Sequence, residues 1–450
     1  MGVSGESDAG AFAERFHSAL ARLPLAGTVT RRWLVAFSGG LDSTLLLHQL
    51  WRSRPNAAVV AIHVDHGLHA DSALWAAHCR SEAEALGVDY IPRVATLQQS
   101  PGQSLEAIAR TARYAILADL AEAGDVVLTA HHSDDQLETV LLRLLRGTGV
   151  RGLQAIHSVA PCGAGQLARP LLDFSRAEIE TEARRLGLRW LEDPSNVDRR
   201  FDRNYLRAEC LPRLLERWPR AGLVANRLAR QMTEAEIVLG EVAASDLGAL
   251  DDPGRIPVGR LRTLSEPRQN NALRFALRAA GLPVPSAAQL AQLRRALTAR
   301  GDAEVLVSWP GAEARLYRQH LYLQAPTASP IIEAGRLAVD AAVAAAGGEL
   351  RLVATQDYGI PDRWARDGLT VAYRAGGERF RPERCRYHKS LKQWFQDQGI
   401  VPWMRNAVPL LYHDDQLIAV ADICLADDLP HAASDGPFWR PQWTGHARLR

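Results

Sequence analysis

Apolar residues change their spacing in a regular way along the first 145 residues. Short continuous apolar runs predict four β-strands, at residues 33–37, 57–64, 88–94 and 125–130. Apolar residues at helical spacing predict helices at about residues 11–24, 71–86, 104–123 and 134–145. Because strands that alternate with helices form a parallel sheet covered on both faces, we predict a doubly wound α/β domain at the N-terminus.

The alternation stops after Gly152. Helical patterns dominate residues 175–300, a hairpin is predicted at 303–323, and a linker rich in Pro, Ala and Ser is predicted at 324–330. The remaining residues mix short strands with one helix, which indicates a small α/β or α+β module. We therefore predict three domains: an α/β domain at 1–215, a mostly helical domain at 216–328 and a C-terminal domain at 329–450.

Composition narrows the class of protein. Of the 450 residues, 47% are hydrophobic, which supports sizeable cores, and no uninterrupted apolar run is long enough to cross a bilayer. The polar, acidic N-terminus does not resemble a signal peptide. The five cysteines are scattered without a Cys-x-x-Cys pair, which is typical of a reducing compartment, so we expect a cytoplasmic protein with no membrane partner. The net charge of +2 does not by itself indicate a nucleic-acid partner.

The first strand ends in a glycine turn, and a helix follows immediately. The turn reads Ser38-Gly39-Gly40-Leu41-Asp42-Ser43. Two glycines allow a sharp turn and a close approach to a ligand, and the N-terminus of the next helix attracts phosphate. The turn lacks the Lys of a Walker loop and the Gly-x-Gly-x-x-Gly of a dinucleotide fold. Its carboxylate, Asp42, is suited to hold Mg²⁺ against a polyphosphate, although such turns also occur with no ligand.

Polar residues also follow the second strand. His63 lies near its end, and Asp65-His66-Gly67 comes next. Groups at this position are placed to bind an adenine; the alternative is a polar turn with a solvated histidine.

The third polar cluster lies on the helix predicted at 104–123. Arg110 and Arg113 are three apart, so both guanidinium groups can reach one side and bind a phosphate or an AMP-like group. Glu106 and Arg110 are four apart, and a surface ion pair is the alternative.

The fourth cluster begins where the fourth strand ends, with His131-His132-Ser133-Asp134-Asp135 and continuing to Glu138. Ser133 or Asp134 is placed to cap the following helix. Asp135 and Glu138 are three apart, so both carboxylates project from one helical face. Such a pair at a strand end can bind Mg²⁺ or orient an incoming amine.

The glycine turn resembles the pyrophosphate loop of the ATP pyrophosphatase superfamily. The fourth cluster, Glu192-Asp193-Pro194-Ser195-Asn196 and the C-terminal stretches at 374–382, 389–395, 401–403 and 408–412 resemble the tRNA(Ile)-lysidine synthetase family. The resemblance covers roughly residues 33–210 and 370–425. It departs from the family pattern at Ala130 and Arg384, where glycine is frequent.

The resemblance implies an enzyme that uses ATP and Mg²⁺. ATP would adenylate the C2 oxygen of the first anticodon cytidine of a tRNA(Ile) with a CAU anticodon, and free lysine would displace AMP to form lysidine. The nucleotide-binding residues it implies are Ser38, Gly39, Gly40, Leu41, Asp42, Ser43, His63 and Asp65, with Asp42 as the metal ligand. The catalytic residues it implies are Asp42, Arg110, Arg113, His131, Asp135 and Glu138; Arg110 and Arg113 are not ranked.

Local charge indicates where RNA binds. Residues 374–405 carry eight Lys and Arg against three Asp and Glu, a net charge of +5. A basic surface with interleaved Trp394, Phe395 and Trp403 suits RNA, although the aromatics could equally belong to a core. We expect both the helical and the C-terminal domains to bind tRNA. The residues that we expect to contact it are Arg203 and Arg207, at the end of the α/β domain, and Arg379, Arg381, Lys389 and Lys392 in the C-terminal domain.

Two other functions are compatible with the turn. A tRNA thiolase would need a reactive, usually paired cysteine near the turn, and none is predicted there. A non-catalytic nucleotide- or tRNA-binding protein would not need the carboxylates and arginines around the turn. The oligomeric state stays open between a monomer and a homodimer.

Overall fold

The computed structural model describes residues 5–26, 29–67, 71–97, 105–192, 201–298, 305–326, 335–356, 358–430 and 437–449, with the side chains of 5–9 and 105–107 left out. The chain divides into two compact units, Met1–Leu239 and Gly240–Arg450. The domain boundaries predicted at 215/216 and 328/329 stay predictions.

A six-stranded sheet forms the centre of the first unit. Its strands are β1 (Arg32–Ala36), β2 (Ala58–Asp65), β3 (Asp89–Val94), β4 (Asp125–Leu128), β5 (Val159–Cys162) and β6 (Gly165–Ala168). The order is β3-β2-β1-β4-β6-β5, and every neighbouring pair is parallel except β5 with β6. The predicted doubly wound parallel sheet is therefore confirmed. The β5–β6 pair, which the sequence pattern did not predict, extends one edge.

Helices cover both faces of this sheet. The helices up to residue 247 are α1 (Gly5–Ala21), α2 (Leu41–Arg52), α3 (Ser72–Leu86), α4 (Leu105–Leu120), α5 (Ser133–Leu145), α6 (Val150–Leu153), α7 (Arg176–Arg185), α8 (Asp202–Tyr205), α9 (Leu211–Arg217) and α10 (Ala221–Leu247), with a π-helical turn at Leu206–Cys210. Helices α1, α2, α3 and α7 pack on one face of the sheet and α4 packs on the other, whereas α5, α9 and α10 pack with one another. Side chains of a strand alternate between faces. Leu34 of β1 accordingly packs with Leu117 of α4 on one face, whereas Val35 packs with Leu45 of α2 on the other.

The second unit begins with a small helical layer against an antiparallel sheet. The helices are α11 (Val258–Arg262), α12 (Glu266–Ala279) and α13 (Ala287–Leu297), and the sheet has the order β7 (Arg255–Pro257), β10 (His320–Gln324), β9 (Ala312–Tyr317) and β8 (Val305–Trp309).

The hairpin predicted at 303–323 is wrong in its strand count, because β8, β9 and β10 form a three-stranded meander. The second turn uses Arg318 and Gln319 at φ values of 45° and 63°. A turn of this kind usually carries Gly or Asn, so its sequence did not signal it. Of the predicted linker, Gln324 ends β10, and residues 327–330 lie outside the described residues.

The C-terminal part of the second unit contains antiparallel sheets and two helices, α14 (Asp362–Asp367) and α15 (Leu391–Asp397). One sheet has the strand order β11 (Gly335–Leu337), β15 (Leu369–Ala372), β18 (Leu410–His413), β19 (Gln416–Val420) and β20 (Cys424–Leu425). A second sheet has the strand order β12 (Ala342–Ala345), β13 (Gly348–Thr355), β21 (Phe438–Thr444) and β14 (Ile360–Pro361). In addition, β16 (Arg379–Phe380) pairs with β17 (Lys389–Ser390). Antiparallel pairing makes this part α+β, one of the two predicted alternatives.

Of the aromatic residues in the basic C-terminal stretch, Tyr387 is 78% exposed, whereas the three predicted to interleave its charges pack in or against the core. Trp394 and Phe395 are buried, and Trp403 packs edge-on against Tyr322. These rings are therefore unavailable for stacking on bases. None of the helices in the described ranges is long and apolar enough to cross a membrane.

Candidate active site at the carboxyl edge of the parallel sheet

The glycine turn joins β1 to α2 and is held by its own serines. Ser43 donates from Oγ to the Gly40 carbonyl at 3.0 Å, and its Oγ accepts the Ser38 backbone N–H at 3.2 Å. The hydroxyls of Ser38 and Ser43 are 3.0 Å apart. The turn is thus preformed at the N-terminus of α2, where unpaired N–H groups and the helix dipole favour a bound phosphate.

Gly39 has φ +78°, a conformation that residues with a Cβ rarely adopt. A Cβ at this position would lie 2.8 Å from Cys79 Sγ and 3.2 Å from Leu191 Cδ1. The Leu191 N–H also donates to the Gly39 carbonyl at 2.9 Å, so the turn is fixed from outside as well. Leu191 precedes the Glu192–Asn196 motif, of which residues 193–196 lie outside the described residues.

The position of Cys79 bears on the sulfur-transfer alternative. This cysteine lies inside α3, as expected, but its side chain reaches the glycine turn. Burial raises the pKa of the Cys79 thiol to about 12, and the nearby Glu82 adds to the effect. The thiol therefore stays protonated at neutral pH and is a poor nucleophile.

Asp42 connects the glycine turn to the fourth cluster. Arg176, the first residue of α7, donates from Nη1 to the two Asp42 carboxylate oxygens at 3.0 and 3.2 Å. His132 Nε2 lies 3.9 Å from Asp42 Oδ2 and 3.4 Å from Asp135 Oδ2. The first and fourth clusters predicted from the sequence are therefore parts of one site.

The start of α5 differs from the prediction. His132, rather than Ser133 or Asp134, occupies the N-cap position, and the Asp135 carboxylate accepts the His132 backbone N–H at 3.1 Å. The predicted caps fail because the Ser133 backbone N–H donates to the carbonyl of Phe174 at 2.8 Å and the Ser133 hydroxyl donates to Asp134. The carboxylate at the third helical position replaces the missing cap.

Asp135 and Glu138 hold two arginines in a largely buried cluster. Glu138 accepts from Arg203 Nε at 2.8 Å and from Arg207 Nε at 2.7 Å, and Asp135 accepts one Nη2 hydrogen bond of 3.0 Å from each arginine. Arg203 lies in α8, and Arg207 lies in the π-helical turn that follows. The two side chains were predicted to bind tRNA; the structure directs both at carboxylates, and an RNA contact from them stays a prediction.

Charges in this cluster shift the pKa of several groups. Burial by itself would raise the pKa of Asp135, but the electrostatic interactions with the two histidines and with the guanidinium groups of Arg203 and Arg207 outweigh it and hold the pKa well below its ordinary value. Asp135 therefore stays ionised. The guanidinium groups of both arginines are stabilised in turn, because the attraction of Asp135 and Glu138 exceeds their cost of burial.

His131 is half-buried next to this cluster. Its Nδ1 lies 2.9 Å from Thr129 Oγ1. Burial lowers the pKa of His131 to about 3; Asp135 opposes the shift, and Arg169, Arg110 and Arg203 add to it. His131 is accordingly neutral at physiological pH.

The second and third predicted clusters meet through His66 and Arg113. Arg113 lies within hydrogen-bonding distance of His66 Nε2, at 3.2 Å from Nε and 3.1 Å from Nη2. Burial, followed by the charge of Arg113, lowers the pKa of His66 to about 4. Asp65 accepts the Gly67 N–H at 2.8 Å, and His63 Nδ1 lies 3.0 Å from the Phe37 carbonyl beside the glycine turn.

Arg110 lies over the Tyr114 ring, with Cζ 5.1 Å from the ring centroid. The side chain of Glu106, the predicted ion-pair alternative for Arg110, lies outside the described residues. Sequence reasoning did not select Arg176 or Arg169. Arg169 is buried and donates to the His157 carbonyl at 2.6 Å, and its Nε has no hydrogen-bond partner among the described residues.

The site fits Mg²⁺ in only one way. Among the described residues, no three His, Cys, Asp or Glu side chains cluster as a metal site would require. Mg²⁺ is commonly held by one or two carboxylates together with substrate phosphates. Asp42 has a 28% exposed side chain next to the phosphate-binding turn, and it suits that arrangement.

These features define a class of protein. A parallel sheet whose first strand leads into a glycine turn, with an acidic second residue in the next helix, is typical of PP-loop proteins. The PP-loop domain family matches residues 11–214. In the second unit, the TilS substrate binding domain matches residues 257–322, and the TilS substrate C-terminal domain matches residues 369–443.

Relatives aligned over most of their length give the particular family. The tRNA(Ile)-lysidine synthase of Alkalilimnicola ehrlichii is 39% identical over 399 residues, which cover 87% of this chain and 89% of the relative. That of Pseudomonas aeruginosa is 40% identical over 445 residues, covering 92% and 93%. The chain belongs to the tRNA(Ile)-lysidine synthase family. Among solved structures, the U34-tRNA thiolase NcsA of Methanococcus maripaludis is 18% identical, with a TM-score of 0.43 over 51% of this chain and 81% of that one.

Proposed function

We propose that the chain joins free lysine to C2 of the cytidine at the first anticodon position of a tRNA(Ile) with a CAU anticodon, using ATP, to form lysidine. The observation that carries this proposal is the connection from Asp42 through His132 to Asp135. Through this connection the glycine turn lies a few ångströms from an acidic cluster, which supports a reaction between an adenylated base and an amine.

Two displacements make up the proposed reaction. The C2 oxygen of the cytidine attacks the α-phosphorus of ATP, and the bond to pyrophosphate breaks. The lysine ε-ammonium group gives one proton to water, and the neutral amine then attacks C2. The C–O bond to AMP breaks, and the newly bonded nitrogen gives a second proton to water. The glycine turn would bind the leaving pyrophosphate, and Asp42 would hold Mg²⁺, which supplies charge neutralisation when it is bound.

The remaining side chains suit binding and orientation. Asp135 stays ionised because its pKa is depressed, so it is a weak proton acceptor and a good partner for an ammonium group. With Glu138 it would hold the lysine amine. Arg110 or Arg113 would bind the AMP part of the intermediate, and His63 and Asp65 would line the adenine side. Neutral His131 would border the reacting base.

The basic residues of the second unit would bind the tRNA backbone. Arg379 and Lys392 are exposed, whereas Lys389 pairs with Asp397 at 3.2 Å and Arg381 with Asp427 at 3.4 Å. Replacing both Arg379 and Lys392 by Gln should weaken tRNA binding and reduce the slope of log affinity against log salt by about 2. Arg22→Gln, an exposed change in the first unit, is the control; an unchanged slope in the double variant would contradict the assignment.

Nucleoside mass analysis tests the reaction directly. The tRNA is incubated with ATP, Mg²⁺ and lysine, and its nucleosides are separated and weighed. We expect cytidine to gain the mass of one lysine less one water, and tRNA-dependent exchange of pyrophosphate into ATP when lysine is left out. A gain of sulfur would favour a thiolase, and no change by folded protein would favour a binding protein. All five cysteines are free, which is consistent with a reaction in the cytoplasm.

A further inference from the structure

A solvent-exposed tryptophan lies at the turn between α9 and α10, on the rim of an apolar groove. Trp218 is 59% exposed and Val224 of α10 is 51% exposed. The groove has a volume of about 690 Å³, and Leu137 and Val140 of α5 line it together with Leu228. Large apolar side chains are seldom left open to water together without a binding role.

The backbone holds this tryptophan in place. The Trp218 N–H donates to the Leu214 carbonyl at 2.7 Å, and the Trp218 carbonyl accepts from the Ala221 N–H at 2.9 Å. Pro219 follows it directly. An exposed, flat indole on a hydrogen-bonded backbone is suited to stack on another flat ring.

The surroundings of the groove are strongly basic. Residues 211–230 contain five arginines and one acidic residue, Glu216, a net charge of +4. Arg230 pairs with Asp173. The other four are exposed and have no ion-pair partner among the described residues; they are Arg213, Arg217, Arg220 and Arg227. This charge favours a polyanion, and it disfavours a two-fold contact with a second copy, which would bring like charges together.

The groove also lies close to the candidate active site. Leu137 and Val140 line the groove from α5, and Asp135 and Glu138 of the same helix belong to the acidic cluster. The two features are therefore separated by about the width of a helix, roughly 10–12 Å. Nucleotides next to a base held at the carboxylates would come within reach of the groove.

We propose that this groove binds an unstacked nucleobase of the RNA substrate, from the loop that carries the modified cytidine. Trp218 stacks on that base, the apolar lining covers it, and the four exposed arginines bind the adjoining phosphates. Proteins commonly read RNA loops in this way, through splayed bases on aromatic rings. The inference rests on the proposed function, because that function supplies the RNA loop.

Binding of a synthetic anticodon stem-loop RNA with a CAU anticodon tests the proposal. Trp218→Ala should weaken binding roughly 10- to 100-fold, and Trp218→Phe should restore most of it, because base stacking needs only an aromatic face. Arg220→Gln should lower the salt slope by about 1. Trp51→Ala is the matched control, since Trp51 of α2 is also exposed, at 43%, and should leave binding unchanged.

The outcomes separate this inference from the proposed function. If the wild-type protein forms lysidine and folded Trp218→Ala binds the stem-loop as tightly as wild type, the stacking site is refuted while the function stands. If Trp218→Ala changes the sedimentation of the protein but not its RNA affinity, the groove is an interface between copies, which also refutes the proposal. A wild-type protein that binds the RNA but forms no lysidine would refute the function alone.

Discussion

Replacing Glu138 by Gln should destabilise the first unit strongly. The substitution keeps the size of the side chain and removes its negative charge. The Glu138 side chain is only 1% exposed and accepts three hydrogen bonds from Arg203 and Arg207. After the change, one amide oxygen faces two guanidinium groups, and Asp135 alone balances them.

The size of the effect follows from this geometry. Removing one partner of a buried ion pair costs about 3–5 kcal/mol, because a charge is left buried without compensation. The side chains of Arg203 and Arg207 are 24% and 37% exposed, and Asp135 still pairs with both, so the lower end of that range applies. A loss of about 3 kcal/mol corresponds to a decrease in melting temperature of about 6–12 °C for a unit of this size.

Differential scanning calorimetry of the full chain measures the decrease. Glu84→Gln is the control, because it is the same substitution at an exposed position of α3. Combining Glu138→Gln with Arg207→Gln should recover part of the loss, since the double variant removes one charge of each sign. If Glu138→Gln melts no lower than Glu84→Gln, the carboxylate–arginine cluster does not contribute to stability as reasoned here.

Three further predictions concern the same site. Asp42→Ala should abolish lysidine formation and leave tRNA binding largely intact in a filter-binding assay; lost tRNA binding would contradict the metal assignment. Gly39→Ala should abolish ATP-dependent activity, because φ is +78° and the new methyl group meets Cys79 Sγ at 2.8 Å, whereas Gly87→Ala, also at positive φ but with open space around it, should keep most activity. His131 stays neutral in the folded chain down to a pKa of about 3 but gains a proton near 6.5 once unfolded, so it lowers stability as pH falls from 6.5 towards 3. In urea titrations, His131→Asn should reduce the dependence of the unfolding free energy on pH by up to about 1.4 kcal/mol per pH unit. An unchanged pH profile would show that the imidazole titrates normally.

The sequence was sufficient to predict the structural elements that are determined by residues close together in the chain. The strand before the glycine turn, the turn itself and the helix after it all lie between Arg32 and Arg52, and apolar spacing with paired glycines is sufficient to recognise them. The β5–β6 pair escaped prediction because its strands are only four residues long and include Pro161 and Gly165. Neither strand therefore shows a clear alternating pattern.

Contacts between distant parts of the chain were beyond sequence reasoning. Arg176 lies 134 positions from Asp42, and Arg203 lies 65 positions from Glu138. The sequence does not distinguish an arginine with free hydrogen-bond donors from one that is paired with a distant carboxylate. For this reason Arg203 and Arg207 were predicted to bind RNA. Trp394 posed the same problem for aromatic residues. An aromatic ring that stacks on bases and one that lies in the core differ only in whether other side chains cover the ring.

The balance of charge explains why the site can remain folded before its substrates bind. Asp42, Asp135 and Glu138 supply three negative charges, and three guanidinium groups face them, from Arg176, Arg203 and Arg207. Under the proposed function, each substrate would compete for one half of these pairs: a polyphosphate would attract the arginine at Asp42, and an ammonium group would attract the carboxylates of α5. Such a site would bind both substrates by exchanging ion pairs rather than by burying new unpaired charges, which would cost several kcal/mol each.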